Sequence, residues 1–549
     1  MTAAPHPLTL AVIRHKLQAV AEEMVETMTR TCFSPILNQN QDFSAVVLDA
    51  AGQTLAQAER VPIHMGAMPW AIRAMAEAFD GDIAKDDVLM ANDPYWGGSH
   101  LPDITLALPV FADGALRLWV ALRAHQGDIG GLSAGGYSAG ATEIWHEGIR
   151  IPPVKLVEGG RLRADLLRMV AANSRKPDDL HGDVMAQLAA VTVGSKRLDG
   201  LFARYGAAEV GRCADAILDG GEAVMRREIR RWRDGAYEGV SWLEPGREGD
   251  PLIPIRARVT LRDGSALVDL RDCPDQVPSF LNSPIANTRA AVNVAFLYLS
   301  EDAQVLNEGS ARAIEILTRP GSIVDPVLPA PVVACTSLTS AALIEAVMAA
   351  LEQAAPDVAV AGFTRRFRFA LAGEDRQGRP YIWHYFLNRG GAGANARSDG
   401  WTNLGGVHNP GGSPSPSVER TEAGYPLLIE EYALRPDSGG AGLRCGGPGG
   451  VLRMRYEGAA PAVLNAAGEG VVVRPRGILG GEDGLGHAYS LERADGTVVP
   501  IGPRDAGVVV RPGDVVVCLS AGGGGYGPPE QRPADLAARD RDWGYRSAP

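Results

Sequence analysis

Glycine constrains this chain more than any other residue: it occupies 66 of 549 positions, well above the usual share of about 7%. Many glycines stand in short clusters between apolar runs, among them Gly390-Gly391-Ala392-Gly393, Gly446-Gly447-Pro448-Gly449-Gly450 and Gly522 to Gly525. A residue without a Cβ permits tight turns and close backbone approaches, so such clusters imply both. None of them fits the phosphate-cradling G-x-x-x-x-G-K-[ST] pattern. Gly522, Gly524 and Gly527 satisfy G-x-G-x-x-G after an expected strand, but Pro528-Pro529 follow and no βαβ unit is in view. The clusters read as tight turns in a β-rich region, and no nucleotide site is expected.

The length suggests roughly two to four domains. Hydrophobic residues at 46% and charged residues at 21% mark a globular chain. A net charge of -12 without a long Lys/Arg tract argues against nucleic acid as a partner. Six scattered cysteines form no C-x-x-C pair, which excludes a zinc ribbon and points to reduced, buried thiols. No run of about 18 continuous apolar residues is present, so no membrane span is expected. Pro5, His6 and Pro7 precede an amphipathic segment rather than a charged and then apolar leader. A cytoplasmic protein is the simplest placement.

The expected fold class is mixed α/β (α+β) and multi-domain. An N-terminal region of hairpins and helices spans 1–245, a C-terminal strand- and turn-rich region spans 246–527, and a polar, partly mobile tail spans 528–549. Apolar spacing predicts a helix over Leu8 to Arg30 and another over Met68 to Phe79. Phe43 to Leu48 and Thr54 to Ala58 read as a hairpin around Asp49-Ala-Ala-Gly52. Thr105 to Phe111 and Leu116 to Ala124 read as a second, with Pro109 implying an edge position or a bulge. Residues 163–232 read as mainly helical, broken at Lys176-Pro177.

The second hairpin carries the chemistry. Asp103 lies just before its first strand and His125 just after its second, so antiparallel pairing brings the two together. His100 sits three residues before Asp103, on a glycine-rich loop that Pro102 keeps out of a helix. Two imidazoles and a carboxylate suit a divalent metal with an open coordination position. On spacing alone, a metal centre and a pair of hydrogen-bonding histidines are equal alternatives. Asp42, at the mouth of the first hairpin, is a fourth candidate ligand. His64, in a further loop, is a candidate substrate contact or a structural histidine. Asp128 either orients an imidazole and takes a proton, or caps the Gly130-Gly131 turn. G-x-S-x-G occurs around Ser133 and Ser138, but in a Gly/Ser-rich loop rather than a strand-to-helix elbow.

In order along the chain stand Pro62-Ile-His64-Met-Gly66-Ala-Met68-Pro69, Asn92-Asp93-Pro94-Tyr95 through His100-Leu-Pro-Asp103, and Ala124-His125-Gln-Gly-Asp128-Ile-Gly130-Gly131. Further on come Glu147-Gly148-Ile-Arg150, Asp437-Ser-Gly-Gly-Ala-Gly442 and Ser520-Ala-Gly-Gly-Gly-Gly-Tyr526-Gly527. With these stretches the chain resembles the hydantoinase B/oxoprolinase family, which also takes in acetone carboxylase alpha subunits. The resemblance implies that Asp42, His100, Asp103 and His125 bind one divalent ion, zinc or manganese. It implies a partner, an A-type ATP-binding subunit, in an A2B2-type assembly; ATP is then used by the partner and not by this chain. It implies an ATP-dependent hydrolase of small cyclic amides, of hydantoinase or 5-oxoprolinase type. In that scheme the partner phosphorylates the ring amide and the metal centre here completes ring opening, with Asp128 or Glu143 as proton shuttle. A subunit of an ATP-dependent ketone carboxylase is the alternative. The chain departs from the family at Cys335-Thr-Ser-Leu-Thr-Ser340 and Val407-His-Asn-Pro-Gly-Gly-Ser413, which bears on substrate rather than on the metal ligands.

Overall fold

Pro7 opens the first helix, Pro7–Thr31, where its missing N–H costs nothing, and His6 caps it by accepting from Leu8 N. Its Ile13, Leu17, Met24 and Met28 face inward and are fully buried. The computed structural model describes residues 4–58, 62–246, 249–301, 307–409 and 414–547, apart from the side chains of Pro62, His64 and Met65. The fold is mixed helix and sheet, as expected, with four sheets among the described residues.

The first sheet positions the candidate site. Its strands are β1 (Phe43–Asp49), β2 (Thr54–Ala58), β3 (Val88–Ala91), β4 (Asp103–Ala112), β5 (Ala115–His125), β6 (Val154–Glu158) and β7 (Arg161–Leu162). Their order is β2-β1-β5-β4-β3-β6-β7, and every pairing is antiparallel. Both faces are covered. Ala45, Val47, Leu106, Val120 and Leu122 pack with the Pro7–Thr31 and Pro177–Tyr205 helices. Val46, Leu48, Ala107, Trp119 and Ala121 pack with Met68, Ile72 and Met75 of the Pro62–Ala78 helix. That double cover explains why β1 is apolar almost throughout instead of alternating. The helix expected from Met68 starts at Pro62 and runs through Pro69. Both expected hairpins form, but β4 is an interior strand. Pro109 is tolerated there because β3 pairs with β4 only as far as Ala107, and a register shift follows at Val110/Phe111.

The second sheet joins β8 (Gly235–Leu243), β9 (Ile253–Arg262), β10 (Ser265–Asp269) and β11 (Ile314–Leu317). β8 and β9 pair from Gly235↔Leu261 to Leu243↔Ile253. The division expected between residues 245 and 246 falls in the connection between these two paired strands. The Ile285–Leu299 and Ser340–Ala354 helices share the core of this sheet. Cys335–Ala354 is apolar and long enough to cross a membrane, but 83% of its apolar window is buried inside the molecule, as befits a core helix.

Nine further strands form two sheets: β12 (Phe367–Glu374), β13 (Pro380–His384), β14 (Leu427–Leu434), β15 (Gly450–Tyr456), β16 (Ala462–Gly468), β17 (Ala488–Glu492), β18 (Val498–Ile501), β19 (Val508–Val510) and β20 (Val515–Leu519). They run β13-β12-β16-β19 and β14-β15-β20-β17-β18, and they share one aromatic core containing Phe369, Trp383, Tyr385 and Tyr489.

Beside these sheets the glycine clusters do more than turn. They run side by side as extended backbone, joined by Gly391 N to Ala521 O (3.0 Å), Gly447 N to Ala392 O (2.9 Å), Gly523 N to Gly447 O (2.9 Å) and Gly440 N to Gly523 O (2.8 Å). A Cβ on Gly523 would lie 1.8 Å from the Ala392 carbonyl oxygen, and one on Gly391 would lie 1.9 Å from that of Gly447. Neither has a positive φ, so what these glycines supply is room. Gly522 to Gly525 are buried in this bundle, where no phosphate could reach them. The tail is likewise held: Ala534–Asp542 is helical, and Arg532 ties Asp540 to Asp399 through pairs of 2.6 and 2.9 Å.

Candidate metal centre

The register of β4 on β5 sets Asp103 directly opposite His125. Side chains alternate along a strand, so Asp103, Thr105, Arg123 and His125 share one face. β1 extends the row: Phe43 pairs with Ala124, and His125 N donates to Asp42 O at 3.0 Å. His100 arrives from the turn before β4. Gly97, at φ 81°, starts that turn, and a Cβ there would meet the Trp70 carbonyl at 2.5 Å. Asn92 pins the turn by donating to Leu101 O (2.7 Å) and accepting from Ile151 N (2.7 Å).

Three donor atoms converge. His100 Nε2 is 3.0 Å from Asp103 Oδ1, His125 Nδ1 is 3.2 Å from the same oxygen, and the two imidazole nitrogens are 3.2 Å apart. All three side chains are buried. Each is fixed from behind. His100 Nδ1–H donates to Val333 O at 2.6 Å, which leaves Nε2 unprotonated in the neutral ring. Glu147 in turn holds that backbone by accepting from Val332 N (2.9 Å) and Val333 N (2.8 Å); burial pushes its carboxyl up to about 8. Ser99 Oγ donates to Asp103 Oδ2 at 2.5 Å. Arg123 donates to Ser99 Oγ and Thr105 Oγ1, and burial lowers its guanidinium to about 10. Burial also lowers the pKa of His125 and outweighs Asp103 and Asp42, so its imidazole is neutral.

Two imidazole nitrogens facing one carboxylate oxygen make a donor set that could hold a divalent ion. Ligand bonds of about 2.1 Å put neighbouring donor atoms roughly 3.0 to 3.4 Å apart, depending on coordination geometry. The observed spacings of 3.0 to 3.2 Å fit that range. The mixed N/O set accommodates zinc or manganese.

The other sequence candidates divide. Asp42 lines the same cavity as His125, but it stands outside the group whose donor atoms all lie within 4.8 Å of one another. Asp128 does not reach the triad. It accepts from Gly130 N (3.1 Å), Gly135 N (3.2 Å) and Arg175 N (2.8 Å) and pairs with Arg175 Nη1 (3.0 Å), so its carboxylate organises the loop as a turn cap. It lines a different pocket, with Ser34, Lys176 and His384. Glu143 is partly exposed and pairs with His146 at 3.3 Å, also away from the triad. His64 falls in the first turn of the Pro62–Ala78 helix, and its side chain lies outside the described residues.

Sequence reasoning missed the rest of the surroundings. Tyr137 packs 5.8 and 6.0 Å from the two histidine rings. It lines, with Thr336, Ser337, Arg366 and Arg368, a small cavity beside His125. Glu147 stood in one of the family stretches, but its role there carried no signal, because its partners lie 185 and 186 residues away. The arginines did: Arg366-Phe-Arg368-Phe places two cations on one face of a strand among aromatics.

The model of the family described as hydantoinase B/oxoprolinase matches residues 6–529. The caprolactamase subunit beta of Pseudomonas jessenii is 35% identical over 546 residues, covering 97% of this chain and 93% of that one. The crystal structure of the ATP-dependent caprolactamase from Pseudomonas jessenii superposes with a TM-score of 0.91 at 32% identity, over 100% of this chain and 95% of that one. A nucleotide-free acetone carboxylase structure also reaches a TM-score of 0.91, at 19% identity over 99% of this chain and 78% of that one, which shows a common fold.

Proposed function

The chain belongs to the hydantoinase B/oxoprolinase family, and from that premise we propose that it is the metal-bearing subunit of an ATP-dependent cyclic amidase. His100 Nε2, His125 Nδ1 and Asp103 Oδ1 would hold one divalent ion, with Asp42 as a further ligand from the adjoining strand. The convergence of those three buried atoms within 3.2 Å of one another is the observation that carries the reading. Such an ion would supply Lewis-acid chemistry at a carbonyl or phosphoryl oxygen. Around it the chain's own groups have separate tasks. Glu147 fixes the Val333 carbonyl that sets the His100 tautomer. Ser99 orients the Asp103 carboxylate. Tyr137 and the 336–337 segment close the cavity on one side.

The partner in this reading is a separate A-type ATP-binding subunit, in an A2B2-type assembly in the cytoplasm, and the substrate is a lactam or related ring amide. The naming of a caprolactamase relative as subunit beta supports a second subunit. Asp128 and Glu143 drop out as first choices for the proton shuttle, since each is engaged elsewhere.

The test is co-expression with an A-type ATPase, followed by metal analysis and turnover assays on caprolactam, 5-oxoproline and hydantoin. The expected result is about one zinc or manganese per chain, ATP-dependent ring opening by the complex, and none by the isolated chain. Ring opening without any partner would overturn the reading. Carboxylation of a ketone with bicarbonate, and no lactam hydrolysis, would favour the carboxylase alternative.

A further inference from the structure

Arg365, Arg366 and Arg368 show how differently buried cations are treated in one short segment. Arg365 is charge-balanced: Glu345 and Glu469 approach it at 2.5 and 3.2 Å, and Ser241 accepts a further bond. Arg366 and Arg368 point to the opposite face, as alternation requires, and line the cavity beside His125. Among the described residues, neither forms an ion pair with a carboxylate. Arg366 has a single long hydrogen bond, to Tyr385 O at 3.5 Å, and lies over the Phe386 ring. Arg368 donates to His384 Nδ1 at 2.9 Å and stacks 3.6 Å over Tyr137. Asp42 is the one carboxylate among the described residues lining the cavity, against two guanidiniums. Arg389 adds a third positive charge close enough to oppose that of Arg366.

One buried polar atom on a lining residue, His125 Nε2, also lacks a hydrogen-bond partner among the described residues. When Nδ1 ligates an ion, Nε2 carries the ring proton and is a donor. Excess cation and idle guanidinium N–H groups, with that donor, describe a site built for an oxyanion with many acceptor oxygens. A carboxylate offers two oxygens and one charge. A phosphoryl group offers three oxygens and up to two charges, and it matches the guanidinium fork.

We propose that Arg366 and Arg368 clamp a phosphoryl group carried into the cavity by the activated substrate, holding it against the His100–Asp103–His125 cluster. This rests on the reading of the chain as the hydrolytic half of an ATP-using amidase. The clamp gives that half a reason to accept the phosphorylated substrate and to leave the unactivated ring alone.

The test needs no partner, ATP or lactam. Inorganic phosphate is titrated calorimetrically into the full chain, metal-free and metal-loaded, with acetate as the carboxylate probe. Saturable one-to-one phosphate binding is expected in both forms, tighter than acetate. Arg366→Met and Arg368→Met should each weaken it about tenfold or more, while Arg271→Met, at an exposed pair with Asp269, leaves it unchanged. If the Met variants fail to fold, Arg366→Lys and Arg368→Lys keep the charge and lose the fork. Each should then weaken phosphate about threefold or more. No saturable phosphate binding, tighter acetate binding, or wild-type affinity in the variants would overturn the proposal. Phosphate binding by the full chain, together with no lactam turnover by the co-expressed complex, would instead sink the amidase reading and leave the anion site standing.

Discussion

At the scale of single residues, the site is a set of buried groups held by specific partners, and that makes its failures separable. Ser99→Ala removes a hydroxyl bonded to Asp103 Oδ2. Its expected effect is about a tenfold loss of metal affinity, read by competition with a chromogenic chelator, with the fold retained. Asp103→Asn and His100→Ala should go further and abolish stoichiometric binding, checked by elemental analysis of purified protein. Scarce histidines at two strand ends made the triad readable from the chain alone. Glu147 was not readable, since its role exists only through a backbone segment reached across the whole fold. Asp128 was readable in both of its alternatives; in the structure its carboxylate accepts from loop N–H groups and pairs with Arg175.

At the scale of elements, what local periodicity encodes came through and what tertiary cover decides did not. Both N-terminal hairpins and the first helix follow from apolar spacing. A turn-rich linker between domains and one between paired strands look alike in sequence, and residues 245/246 fall in a connection between paired strands. The Pro177–Tyr205 helix supplies a pH test. Its buried Asp183 accepts from Phe33 N (2.7 Å) and Ser34 N (3.1 Å) through Oδ1. Burial pushes this carboxyl up to about 6. The folded state therefore keeps a proton that the unfolded chain releases from about pH 4 upward. The stability this contributes is complete below that pH and is lost as pH rises through about 6. Asp183→Asn keeps the accepting oxygen and removes the titration. Urea midpoints from pH 4 to 6.5 should show wild type losing up to about 3 kcal/mol relative to the variant. Parallel curves would contradict the assignment.

At the scale of the whole molecule, the glycine clusters bind the C-terminal half together by backbone alone. Gly523→Ala would drive a methyl group into the Ala392 carbonyl, 1.8 Å away. Its expected cost is about 3 kcal/mol or more, seen as a lowered melting temperature or insoluble expression. Gly211→Ala is the control: this helical glycine has nothing within 4 Å of an added Cβ, and alanine should stabilise by about 0.5 to 1 kcal/mol. The same contrast explains what could not be foreseen. Glycine content announces that backbones approach closely, but not which segments do so, and turn chemistry was the nearer explanation.

Any missense change at Gly391 or Gly523 adds at least one carbon where a neighbouring carbonyl already stands. No conservative replacement exists for such a position, and compensation would have to move a whole neighbouring segment. These glycines should therefore resist evolutionary drift as stubbornly as the histidines do while touching no substrate. A search for function that ranks positions by invariance alone would be drawn first to the wrong end of the molecule.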